Sequence, residues 1–184
     1  LREPDETDDD TIDNRIFGNI FHEAAQKVYS RLMQHNGAIA ASDIEDLLKS
    51  KVDIERAADE AFLTELFHLR NQPAGYRMEL NGLQLINREV IIHYVRQLLE
   101  VDRKLAPFTI IGLECDVVVP LKTPWLTTTI GGRIDRLDRI STPDGGEAIR
   151  VIDYKTGNHR PTPLPSVEAI FEQDYLGKHS DYYL

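Results

Sequence analysis

Residues 131–157 read GGRIDRLDRI (131–140), STPDGGEA (141–148) and IRVIDYKTG (149–157). Apolar and polar residues alternate on both sides of a Pro143-Asp144-Gly145-Gly146 turn, the pattern of a β-hairpin. A fold about Asp144 sets Asp135 opposite Asp153. Directly opposed residues of an antiparallel pair project to one face, with Cβ atoms about 5 Å apart. Two carboxylates that close repel unless a cation or proton lies between them. Lys155, two positions past Asp153, points to the same side of the strand. The hairpin therefore predicts a divalent-metal site on rigid strands with an ammonium beside it. A plainer reading of Asp153 and Lys155, a salt-bridged strand pair, stays open at this point.

The preceding segment, FTIIGLECDVVVP (108–120), is rich in β-branched residues and predicts a first strand. A turn around Lys122–Pro124 leads into a second strand over about 126–140. Centring that turn between Pro124 and Trp125 brings Glu114 opposite Asp135, so Glu114, Asp135 and Asp153 fall in one row across three antiparallel strands. A one-residue slip in either turn would reverse the face.

Upstream the pattern is helical. Asp13 or Asn14 can cap a helix whose stripe is Ile16, Phe17, Ile20, Phe21, Ala24, Val28 and Leu32, ending near Gly37. His22 lies at the edge of that stripe, one turn after Gly18; on spacing alone it reads as a boundary histidine. Residues 42–105 read as further helix. Ser42 and Glu45 suggest a capping box, and a second run starts at Asp53 and breaks at Pro73–Gly75. A long helix covers about 81–104, with Leu85, Ile86, Val90, Ile91, Val95, Leu98 and Leu99 inward, and Pro107 closes the block. No chemistry is legible there: scaffold and substrate-channel wall fit equally, and His68 and His93 read as packing residues.

The 184 residues can bury a real core and read as one domain, 14–184, with a helical insertion (42–105) and a catalytic sheet (108–157). Residues 1–13 read as a disordered acidic leader. No apolar run approaches the length of a membrane span, and no basic-then-apolar leader is visible, which gives a cytoplasmic expectation. The single cysteine, Cys115, excludes an internal disulfide and a Cys-ligated iron–sulfur cluster. A net charge of −10 weighs against a broad nucleic-acid surface. That weight is reduced because six of the 31 acids stand in the first ten residues and others gather at the metal site. After Gly157 come a Pro-rich loop (158–166), a short helix from Ser166 and another capped by Ser180 or Asp181; the unfinished sheet implies that the native chain continues.

Mg²⁺ takes oxygen ligands and keeps waters, so Asp135, Asp153 and the Tyr154 carbonyl suit it. A divalent cation acidifies water and clamps a phosphoryl oxygen, and Lys155 can orient the attacking water or stabilise the phosphorane. This suits phosphodiester hydrolysis, and also other phosphate chemistry.

IDYKTG (152–157), preceded by GRIDRLD (132–138), resembles the core of the PD-(D/E)XK nuclease superfamily. It is more narrowly similar to the RecB-like nuclease domains of AddB-type and RecB-type helicase–nucleases and Cas4-like proteins. The family's Asp followed by D-x-K on the next strand corresponds to Asp135, Asp153 and Lys155. Its upstream G-x-x-x-H helix corresponds to Gly18–His22, which makes His22 a metal ligand, and Glu114 matches a supporting acid of the first core strand. The resemblance implies an α+β, restriction-endonuclease-like core (αβββαβ) with a central mixed sheet, cut short after the third strand. It further implies an Mg²⁺- or Mn²⁺-dependent deoxyribonuclease. The metal ligands are His22, Asp135, Asp153 and Tyr154; the catalytic groups are Lys155, Asp153, Asp135 and Glu114. DNA, single-stranded by preference, and a repair helicase domain or subunit are the implied partners, with no membrane. Two departures stand out: the family's cluster-binding Cys quartet is missing, and no full Gln-x-x-x-Tyr helix appears before Leu184. The alternatives are a non-cleaving DNA-binding or scaffolding module of the same fold and an enzyme acting on small phosphorylated molecules.

Overall fold

The structure, a computed structural model, describes residues 12–33, 37–69 and 78–157. The acidic leader up to residue 11, the Pro73–Gly75 break and everything expected after Gly157 lie outside the described residues.

Helix α1 (Asn14–Leu32) starts where the Asp13 carboxylate accepts the Ile16 N–H at 2.7 Å, the expected cap. It ends at Leu32, short of Gly37. That glycine, at φ +70°, turns the chain into a two-residue strand, β1 (Ala38–Ile39), where an added Cβ would strike the Ile110 carbonyl oxygen at 2.4 Å. Helix α2 (Ala41–Lys49) begins before Ser42. Its first turn is closed by Asp43, whose carboxylate accepts the Ala40 N–H at 2.8 Å, rather than by the expected Ser42–Glu45 box. Helix α3 (Lys51–Glu65) buries Ile54, Ala57, Ala58, Ala61 and Phe62. Buried alanines on both α1 (Ala24, Ala25) and α3 let the two helices pack closely.

Helix α4 (Gly82–Leu105) opens with a reciprocal box in which Asn81 and Gln84 cap one another at 2.9 and 3.0 Å. That contact draws Gln84 inward. The buried stripe then runs Gln84, Ile91, Ile92, Val95, Leu99 and Asp102, and Leu85 and Ile86, one and two residues round the helix from Gln84, are exposed instead of inward. Among the described residues no helix is long and apolar enough to cross a membrane.

Strands β2 (Phe108–Lys122), β3 (Thr127–Ser141) and β4 (Glu147–Ile152) complete a sheet of order β1-β2-β3-β4, antiparallel throughout. The mixed sheet expected of the whole core is not formed by the described strands, and β1 was not foreseen because two residues carry no period. Both hairpin registers are as expected: Arg136↔Ile152 to Ser141↔Glu147 about Asp144, and Leu113↔Arg136 to Lys122↔Thr127 about Pro124/Trp125. A bulge at Ile111 shifts the ladder between Ile110 and Gly112. Strand β4 stops at Ile152, so Asp153, Tyr154 and Lys155 lie just past the strand rather than on it. The helices cover the near half of β2–β3. Its far half is an exposed ribbon tipped by Trp125, which is 92% exposed.

The arrangement is an α+β fold of restriction-endonuclease-like kind, a helical layer packed on one part of a curled sheet.

Candidate metal centre

Three elements meet at the near end of β3. From α1 comes His22, next to buried Phe21. Gly18, one turn earlier, faces the segment after β4: a Cβ there would meet the Thr156 hydroxyl at 3.4 Å. That is ordinary van der Waals distance, so Gly18 marks where α1 packs on this segment rather than a place that only glycine can fill.

Tyr154 ties the helix to the sheet through its backbone. Its N–H donates to Asp135 Oδ2 at 2.5 Å, and its carbonyl lies 3.2 Å from His22 Nε2. With Nε2 protonated and donating to that carbonyl, Nδ1 presents a lone pair to the other side. There it meets Asp135 Oδ1 at 3.3 Å and Glu114 Oε1 at 3.7 Å. The Tyr154 ring packs edge-on against Phe21 and His22 at 5.7 and 5.8 Å, fixing the imidazole from the side.

Glu114 lies on β2 between the pairs Leu113↔Arg136 and Cys115↔Ile134, and so opposite Asp135. It adopts φ +47°, a left-handed conformation uncommon for a residue with a side chain. Its second oxygen, Oε2, takes Arg133 Nε at 2.9 Å. Ligand atoms of His22, Glu114 and Asp135 all lie within 4.8 Å of one another, a spacing suited to a single ion. One imidazole and two carboxylates, with a carbonyl alongside, are nitrogen and hard-oxygen donors appropriate to a divalent cation.

Asp153 and Lys155 stand apart from that trio. They pair with each other, Nζ to Oδ2 at 2.9 Å, with side chains 46% and 57% exposed. The β4 ladder has ended by Asp153, and the Asp135 carboxylate is bound to the next residue's amide instead of facing a strand partner. Of the expected residues, then, the fold gathers His22, Glu114, Asp135 and the Tyr154 backbone, and sets Asp153 and Lys155 beside them as an ion pair.

A cleft of about 520 Å³ opens over the trio, between α1 (Arg15, Asn19, His22, Gln26) and the sheet (Glu114, Arg133). Sequence reasoning missed Arg133. The signal was present, because a residue two positions before Asp135 shares its face.

The opposite face of the same strand carries a second charged cluster. Arg136 is fully buried and forks onto Asp102 of α4 at 2.6 and 3.0 Å. It lies 3.1 Å from Asp138, which also binds Arg150 at 2.7 Å. The Tyr29 hydroxyl donates to Asp102, and the Arg136 guanidinium sits 4.3 Å over the Tyr29 ring. Burial works to lower the Arg136 pKa, but the hydrogen bonds to Asp102 together with the charges of Tyr29, Tyr154 and Asp102 outweigh it and the net shift is upward. Burial raises the Tyr29 and Tyr154 hydroxyls above the ordinary tyrosine range, and Asp102 adds to both.

A helix-backed sheet that brings an imidazole and two carboxylates within reach of one ion, with a D-x-K segment beside them, defines the class as an α+β protein with a candidate hard-metal centre. The family model of the PD-(D/E)XK nuclease superfamily matches residues 1–173, and the chain belongs to that superfamily, whose members are typically metal-dependent nucleases. A search of curated proteins found no match.

Proposed function

We propose that this chain is a RecB-like, metal-dependent DNA nuclease domain, an exonuclease-type module of a DNA-repair helicase–nuclease, over residues 14–184. The observation carrying this reading is the convergence of His22, Glu114 and Asp135 from three separate elements, with ligand atoms within 4.8 Å.

In this reading His22 through Nδ1, Glu114 and Asp135 would hold Mg²⁺ or Mn²⁺, with Asp153 beside them; the Tyr154 carbonyl, expected as a ligand, lies on the Nε2 side of the ring and orients His22 instead. When bound, the cation supplies charge stabilisation at the phosphoryl oxygens and makes water easier to deprotonate. The protein's own part is positional. The Tyr154 carbonyl holds the His22 ring in one orientation, and the Tyr154 N–H holds Asp135. Lys155, now paired with Asp153, is the ammonium that stabilises charge building on the phosphate or helps take a proton from the attacking water.

The test is cleavage of labelled single- and double-stranded DNA by the full chain with Mg²⁺ or Mn²⁺, together with calorimetric Mn²⁺ titration. Lys155→Ala should lower cleavage by two orders of magnitude or more while Mn²⁺ still binds, on the order of removing one transition-state donor. Undiminished cleavage by Lys155→Ala would refute its role. A chain that binds no Mn²⁺ and cuts no DNA would point instead to a scaffolding module of the same fold.

A further inference from the structure

The cleft over the metal centre has an electrostatic problem that the trio does not solve. Its walls include Glu23, Glu65, Glu114 and Asp135, and against these stand two guanidinium groups, Arg15 and Arg133. A phosphodiester is an anion, and entering this cleft requires a cationic contact beyond a single metal ion.

Arg133 is placed to provide it. It precedes Asp135 by two residues on β3, so it shares that face about 6.8 Å further along the strand, roughly one backbone repeat of a nucleic acid. Its Nε is held by Glu114 Oε2 at 2.9 Å, while Glu114 Oε1 faces His22. One edge of the guanidinium is thereby anchored to the centre, yet the side chain remains 61% exposed. The terminal nitrogens are the donors left for another anion, in the planar fork that matches a phosphate. Anchoring also reduces the rotamer freedom lost on binding. Across the cleft Arg15 and Asn19 share the face of α1 that carries His22, supplying further donors on the opposite wall.

We propose that Arg133 is a substrate-binding residue that grips the phosphate next to the scissile one, with Glu114 serving both as metal-side acid and as its brace. This rests on the nuclease reading above and names how that site recognises its substrate.

The experiment measures binding of a fluorescent single-stranded oligonucleotide to the full chain by anisotropy, with Ca²⁺ replacing the catalytic cation, across a salt series. Arg133→Ala should raise Kd about tenfold and reduce the salt slope by about 0.7, the loss of one phosphate contact. Arg133→Lys should recover part of the affinity, keeping charge but not the fork. Mn²⁺ affinity by calorimetry should not fall, because Arg133 is not a ligand and its removal leaves Glu114 more negative. Unchanged Kd and salt slope, or a loss of Mn²⁺ affinity matching the loss of DNA affinity, would overturn the proposal and leave Arg133 as a brace only. So would a wild-type chain that binds no DNA. Arg133-dependent binding by a wild-type chain that never cleaves would keep Arg133 as a phosphate-binding residue and refute the nuclease reading, so the two failures are told apart.

Discussion

Asp135 and Arg136 are consecutive on β3 and point into two charged clusters built on different principles. Around Arg136 the charges match: Asp102 and Asp138 face Arg136 and Arg150, and Tyr29 donates to Asp102. Around Asp135 they do not match. Two carboxylates converge on one imidazole, and Arg133 neutralises just the far oxygen of Glu114. A buried cluster that balances its own charge ties elements together, here α1 and α4 to β3 and β4. A partly buried cluster left with excess negative charge favours something positive joining it. The imbalance, more than the presence of acids, separates the candidate centre from the scaffold that holds it.

The comparison breaks most sharply at Asp135. Asp135→Asn should cut cleavage on the order of 10³-fold and weaken Mn²⁺ binding, measured by single-turnover assay and calorimetry. Without metal its urea stability should equal or exceed that of wild type, because the substitution relieves repulsion with Glu114 and an amide oxygen can still accept from the Tyr154 N–H. A large loss of metal-free stability would mean that both clusters are structural. One residue on, Arg136→Met should do the reverse, costing about 3–5 kcal/mol in urea denaturation by leaving Asp102 buried without its counter-ion and Asp138 with Arg150 alone. A cost under about 1 kcal/mol would show that the network is not what joins the helices to the sheet.

The two clusters were unequally legible. The sheet and its registers could be read because both turns announce themselves and the strands alternate, so Glu114 opposite Asp135 followed from turn centres alone. His22 needed its G-x-x-x-H resemblance, since no periodicity relates a helix to a strand more than a hundred residues later. The Arg136 network was hidden because charged residues on a strand are ordinarily solvated, and only the tertiary position of Asp102 makes burial of Arg136 tolerable. The end of β4 at Ile152 was equally unreadable. The apolar alternation runs on through Tyr154, but a side-chain acceptor, Asp135, takes the Tyr154 amide in place of a strand partner. On α4, Leu85 and Ile86 suggested an inward face, and the Asn81–Gln84 cap set the rotation otherwise.

The finest distinction lies between two buried tyrosines, one belonging to each cluster. The Tyr29 hydroxyl donates to the Asp102 carboxylate, so Tyr29→Phe removes a charge-assisted bond and should cost about 1.5–3 kcal/mol. The Tyr154 hydroxyl is buried with no hydrogen-bond partner among the described residues. Its removal takes an unpaired polar atom out of the interior, so Tyr154→Phe should be neutral or stabilising by up to about 1 kcal/mol. Everything Tyr154 contributes to the centre passes through its backbone N–H, its carbonyl and its ring, all of which phenylalanine keeps, so Mn²⁺ affinity should not move. Paired urea titrations of the two variants measure the difference directly. Equal losses would mean that the Tyr154 hydroxyl is tied into the balanced network as firmly as Tyr29, and the boundary between the clusters would then have to be drawn through Tyr154 itself.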